Sequence, residues 1–126
     1  MSTPVLFSLI ESPKHPNLSA LFTRLGFEEV QLTSTRKAVS QLKKQLPDVV
    51  VADFVYGYSN NYSGVHISNL DVFLMSMQKF APAAEVIVLV DPAEMVYAEK
   101  MRDIFPLKAI LPFVVAAQEL EKLLSS

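Results

Sequence analysis

Cysteine is absent from this 126-residue chain. That removes disulfides, thiol nucleophiles and cysteine-held metals from consideration, and it fits a reducing, cytoplasmic setting. An excess of charge is missing too. The formal net charge is −2, which exerts no general pull on nucleic acid or anionic lipid, so neither is expected as a partner. No apolar run approaches the ~20 residues that span a bilayer. The opening Met1-Ser2-Thr3-Pro4 lacks the basic start of a secretion signal. Glycine is scarce, and Gly26, Gly57 and Gly64 match no phosphate-cradling spacing. There is no internal repeat, low-complexity tract or charge block. Apolar residues are what the chain has: it is 51% hydrophobic and 19% charged. Those values describe one core-rich globular domain over residues 1–126.

Apolar runs and helical stripes alternate along it. Residues 4–10 read as a strand, and Pro4 suits a strand's first position. Pro13 and Pro16 punctuate a loop. Leu18, Leu21, Phe22 and Leu25 then repeat at helical spacing up to Gly26. Residues 28–32 form a second strand. Thr33, Ser34 or Thr35 caps the next helix, whose stripe is Ala38, Val39, Leu42 and Leu46, and Pro47 ends it. Val49, Val50 and Val51 are β-branched and lead to Asp53. Asn69 is placed to cap a helix with Leu70, Phe73, Leu74 and Met77 inward. Residues 85–90 form a fourth strand, and Asp91-Pro92 opens a helix with Met95, Val96, Ala98 and Met101 inward. A short strand over 108–111 and a helix over 114–124, with Ala117, Leu120, Leu123 and Leu124 at core spacing, close the chain. Five strand–helix units predict a three-layer α/β sandwich around a five-stranded parallel sheet.

In such a sheet ligands meet the carboxyl edge of the strands, and Asp53 stands there. Glu11 and Asp91 follow other strands and are expected to approach it, as a cation-binding trio or as ordinary polar strand ends, Asp91 more simply as a helix cap. His15 and His66 fall in loops at the same edge and are expected to face solvent. No nucleophile-elbow pattern surrounds Ser59, Ser63 or Ser68. The stretch 54–68 has no periodicity and is long for a strand-to-helix connection. Its Tyr56, Tyr58, Asn60, Asn61 and Tyr62 suit either a recognition surface or a plug folded over the edge. Arg36, Lys37, Lys43 and Lys44 form a basic helix face, read as solvated.

The run Pro47-Asp48-Val49-Val50-Val51-Ala52-Asp53 resembles the proline–aspartate–apolar run that ends in the phosphoacceptor of response-regulator receiver domains. Residues 86–90 resemble that family's fourth strand, and Ile110-Leu111-Pro112-Phe113 its fifth with the following lysine–proline–phenylalanine. The resemblance spans all five units and implies a CheY-like, flavodoxin-like doubly wound fold. It also implies an active site this chain departs from. Where the family has an acidic pair after its first strand, Ser8-Leu9-Ile10-Glu11 supplies one acid. Leu111 stands where the phosphate-contacting lysine is expected. Val90 stands where a hydroxyl is expected, and a methyl offers no hydrogen-bond donor. Lys108 falls where the family usually carries its switch aromatic.

A carboxylate without these supports is poorly equipped for phosphoryl transfer, which rests on electrostatic stabilisation. The expectation is a degenerate receiver: not an enzyme, with no cofactor unless Asp53 works with Mg²⁺, acting through protein contacts. The contact surfaces would be the Tyr-rich loop and a face of the last two helices and strand five. Phe105, Phe113 and Val114 are candidates for exposed apolar contacts there, and the resemblance implies homodimerisation through that face. The alternatives are a working phosphoacceptor at Asp53 and a small-ligand binder at the sheet edge. Because the chain ends at Ser126 directly after its last helix, output is expected to pass through another molecule.

Overall fold

The computed structural model describes residues 3–57 and 68–125. Five strands occur in it: β1 (Val5–Leu9), β2 (Glu28–Leu32), β3 (Val49–Asp53), β4 (Glu85–Val90) and β5 (Ala109–Pro112). They pair in parallel in the order β2-β1-β3-β4-β5. Five helices separate and follow them: α1 (Ser19–Arg24), α2 (Thr35–Leu42), α3 (Asp71–Phe80), α4 (Met95–Ala98) and α5 (Ala117–Ser125). The three-layer, doubly wound α/β sandwich is as expected.

Alternation along the strands builds two cores. Val50 and Ala52 of β3 join Val86, Val88 and Val90 of β4 against Ala38 and Leu42 of α2, Phe73, Leu74 and Met77 of α3, and Ala98. Val49 and Val51 point the other way, with Ile87, Leu89 and Leu111, onto Leu21 and Phe22 of α1 and Leu120 of α5. Helices on both faces explain why β3 and β4 read as unbroken apolar runs. Each fully buried valine or leucine contributes roughly 1.5–3 kcal/mol through lost apolar exposure.

Several local expectations shift. Ser34 is the α2 cap, its hydroxyl accepting from the Lys37 N–H. The helix stops at Leu42, so Leu46 is exposed rather than inward. Asp91 caps as expected by accepting from the Ala93 N–H, but the segment it opens is irregular. Two 3₁₀ turns, Pro92–Glu94 and Glu99–Asp103, flank the single α-helical turn of α4. That irregularity turns Val96 outward while Ala98 and Met101 stay buried. α5 begins at Ala117, which is exposed, and only Leu120 of its stripe is fully buried. Among the described residues no helix is long and apolar enough to cross a membrane.

The strand order reverses between β1 and β3. Connections leaving these two strands run to opposite faces and open a crevice at the carboxyl edge. Asp53 ends β3 in that crevice.

Candidate functional site

Asp53 is completely buried, and its carboxylate is already occupied. Oδ2 accepts the backbone N–H groups of Glu11 and Ser12, each at 2.9 Å. Oδ1 lies 2.7 Å from Nδ1 of His15, whose side chain is only 5% exposed. Facing an ionised carboxylate, Nδ1 carries the proton and donates. The expectation of a solvent-facing His15 is therefore wrong; the ring is the third donor on Asp53.

The β1–α1 loop delivers all three donors because of its turn chemistry. The His15 N–H donates to the Ser12 carbonyl at 3.1 Å, closing a β-turn over Ser12-Pro13-Lys14-His15. Pro13 takes the second turn position, where its fixed φ is favourable, and the Ser12 hydroxyl accepts the Lys14 N–H at 3.1 Å. The turn aims two successive N–H groups and the imidazole at one point, and an anion at that point satisfies them.

Asn69 ties the far side of the crevice. Its Nδ2 donates to the Asp53 carbonyl at 2.8 Å and to Oε1 of Glu11 at 2.7 Å, while its Oδ1 accepts the Val55 N–H at 2.8 Å. Asn69 does not cap α3, whose N-cap position is Leu70 with no side-chain cap bond; Ser68 and Asp71 tie the entry to the helix. The Ser68 hydroxyl accepts the Leu70 N–H at 3.0 Å and bonds Oδ1 of buried Asp71 at 2.9 Å. Asp71 Oδ1 in turn accepts the Ser68 N–H at 2.7 Å.

The other residues singled out in the sequence do not gather at Asp53. Glu11 reaches it through its backbone, and its side chain goes to Asn69. Asp91 pairs with Lys14 at 2.5 Å. That bond, with the Ala93 N–H next in weight, holds the Asp91 carboxyl below its ordinary range. Among the described residues no group of three or more His, Cys, Asp or Glu side chains is arranged to hold a metal. Val90 packs in the α2–α4 core and Leu111 in the α1–α5 core. Lys108 precedes β5, at the opposite edge of the sheet, where its Nζ meets Glu85 at 3.1 Å.

Tyr56 forms an isolated antiparallel bridge with Ser68 and stacks on Tyr97, with ring centroids 4.0 Å apart. Tyr58, Asn60, Asn61, Tyr62, His66, Ser59 and Ser63 lie outside the described residues. On the face of β5 and the last two helices, Val114 is 95% and Val96 63% exposed. Phe105, expected there, is buried in the core, and Phe113 is half-buried against the other cluster.

Sequence reasoning placed His15 at this edge and Asn69 before α3 but missed the contacts both make with Asp53. The signal for His15 was a Ser-Pro-Lys-His turn following β1, beside a switch point that only the strand order locates.

No protein-family model matches the chain, and no curated relative matches it. Solved structures match its shape. A response regulator receiver domain protein from Clostridium thermocellum is 20% identical with a TM-score of 0.72, covering 98% of this chain and 92% of its own. A LuxR-family DNA-binding response regulator from Staphylococcus aureus is 16% identical with a TM-score of 0.70, covering 97% and 96%. The receiver domain of a Pseudomonas aeruginosa sensor histidine kinase is 16% identical with a TM-score of 0.69, covering 98% and 96%; its structure holds magnesium in the active-site cleft. The chain has the receiver-domain fold of response regulators.

Proposed function

We propose that this protein is a receiver-type signalling module that works by protein–protein contact, without phosphorylation and without catalysing a reaction. The observation that carries the reading is the environment of Asp53: buried, with two backbone N–H groups on one oxygen and His15 on the other. A phosphoacceptor needs an oxygen exposed to the donor and a cation to neutralise the transferred group. A hard cation needs several converging oxygens. The magnesium held by the Pseudomonas domain does not suit the residues present here. A cation against Asp53 would meet N–H donors, and the acids nearest in sequence logic, Glu11 and Asp91, are directed to Asn69 and Lys14.

The contact surface this reading favours is the face carrying Val96 and Val114, the two most exposed large apolar side chains among the described residues, together with the exposed ring of Tyr56. A protein partner or a second copy would cover them. Sizing chromatography reads the second copy directly.

A small phosphodonor with Mg²⁺ tests the central point, read by intact mass. The expected result is no phosphate-sized gain in the wild-type protein. A gain that disappears in Asp53→Asn would establish the phosphoacceptor reading instead. The small-ligand reading has one observation in its favour. A cleft of about 330 Å³ beside the β1–α1 loop is lined by His15, Asn17, Ser19, Glu29 and Gln31, among others. Thermal stabilisation by a nucleotide or flavin, lost on blocking that cleft, would favour it.

A further inference from the structure

Four of the eleven Lys and Arg side chains cluster in one stretch. Arg36, Lys37, Lys43 and Lys44 lie in or just after α2, and residues 30–47 contain no Asp or Glu. All four side chains are exposed. Among the described residues none of them makes an ion pair; Lys14, Arg24, Arg102 and Lys108 each pair with an acid, and Lys79, Lys100 and Lys122, which make none, stand singly elsewhere in the chain. Lys37 reaches only the Thr33 hydroxyl, at 3.2 Å. In a chain of net charge −2, this face is an uncompensated basic patch.

Next to the charge is a groove. A cleft of about 370 Å³ lies between α2 and α3, lined by Thr35, Arg36, Val39, Ser40 and Val72. It adjoins, through Arg36 and Ser40, a second cleft of about 500 Å³ that runs along α2 to Lys37 and Lys44. Val72 and Met75 are each 47% exposed. They stand three residues apart on α3 and so share one face. The joined clefts thus have Val39 and Val72 as an apolar floor, with Met75 next to it on α3, and Arg36, Lys37 and Lys44 as a cationic rim.

We propose that the α2–α3 groove docks an acidic amphipathic segment of a partner protein. Its apolar side chains would seat on Val39, Val72 and Met75, and its carboxylates would meet Arg36 and the lysines. Charge complementarity selects this occupant. Nucleic acid would satisfy the rim, but bases bind on aromatic platforms, and this floor is aliphatic. The chain's own residues 58–67 contain no acid and cannot neutralise the rim. The proposal rests on the protein-contact reading above but not on the chemistry of Asp53. A phosphorylated Asp53 would remove that reading's phosphorylation-independence and leave this groove unchanged.

The test uses the full chain, ¹⁵N-labelled, and a synthetic helical peptide with leucines at i, i+3, i+4 and i+7 and glutamates flanking them. The same peptide with lysine for glutamate, and a short DNA duplex, serve as comparisons. Amide shifts should concentrate on α2 and α3 around Val39 and Val72. Affinity should fall at least about tenfold as salt rises from about 50 to about 300 mM, as screening of exposed charge requires. Arg36→Glu with Lys43→Glu should weaken binding by about tenfold or more, and so should Val72→Asn, which removes the apolar seat without changing the charge. All three positions are exposed, and an unchanged spectrum of each free variant verifies its fold. Shifts mapping to another face, equal binding of the lysine peptide or the duplex, or indifference to both variants would overturn the proposal. So would concentration-dependent self-association that the charge reversals abolish, because the occupant would then be a second copy.

Discussion

Two charged regions of this molecule are handled in opposite ways. At the sheet's carboxyl edge, Asp53 is buried and every oxygen has a donor. In and just after α2, four cations stand in solvent and none pairs with an acid among the described residues. A buried charge that is fully hydrogen-bonded holds a structure together, because removing a partner exposes the rest to an unpaid desolvation cost. An exposed, unpaired charge contributes little to folding but remains available to a partner. The contrast separates the part of the charge that builds the fold from the part that can be read from outside.

Breaking the buried side should have the largest effect. Asp53→Ala leaves two N–H groups and an imidazole without their acceptor and should destabilise the protein by about 3–5 kcal/mol, measured by urea unfolding. A loss below about 1 kcal/mol would mean that the loop does not depend on this carboxylate. Asn69→Ala removes three hydrogen bonds, one buried and two partly buried, and should cost about 2–3 kcal/mol, with amides of the β1–α1 loop exchanging faster.

How much of this was readable beforehand divides along the same line. The strands were legible because Val49 to Val51 and Val86 to Val90 are covered on both faces and show it as unbroken apolar runs. Asp53 was legible because a lone acid at the end of such a run must sit at the rim. Its partners were not, because they come from residues 38 to 42 positions away, and two of them are backbone N–H groups with no side-chain signature. Asn69 looked like a cap because asparagine caps helices; only the position of Glu11 and of the Asp53 carbonyl reveals its other use. Leu46 and Val96 fitted helical stripes whose helices end or tighten before reaching them, a consequence of local geometry that periodicity does not carry.

Smaller effects sharpen the contrast. Asp91 is held below its ordinary value of 3.8 chiefly by its hydrogen bond to Lys14. A carboxyl depressed on folding stabilises the protein above the unfolded value, and the contribution fades as pH falls below it. Lys14→Met should therefore make stability less steep below about pH 3.8 and leave it little changed near neutrality, as expected of a partly exposed pair. Reversing charge on α2, with Arg36→Glu and Lys43→Glu together, should alter stability by no more than about 0.5 kcal/mol. A large loss there would show that those cations serve the fold after all.

The most direct measurement follows the His15 ring and the amides of Glu11 and Ser12 by NMR while Mg²⁺ is added. A protected Nδ1 proton on His15 is expected, with amide resonances that stay in place up to millimolar metal. Saturable shifts of the Glu11 and Ser12 amides, with loss of that proton, would show Asp53 opening to a cation and would contradict that expectation.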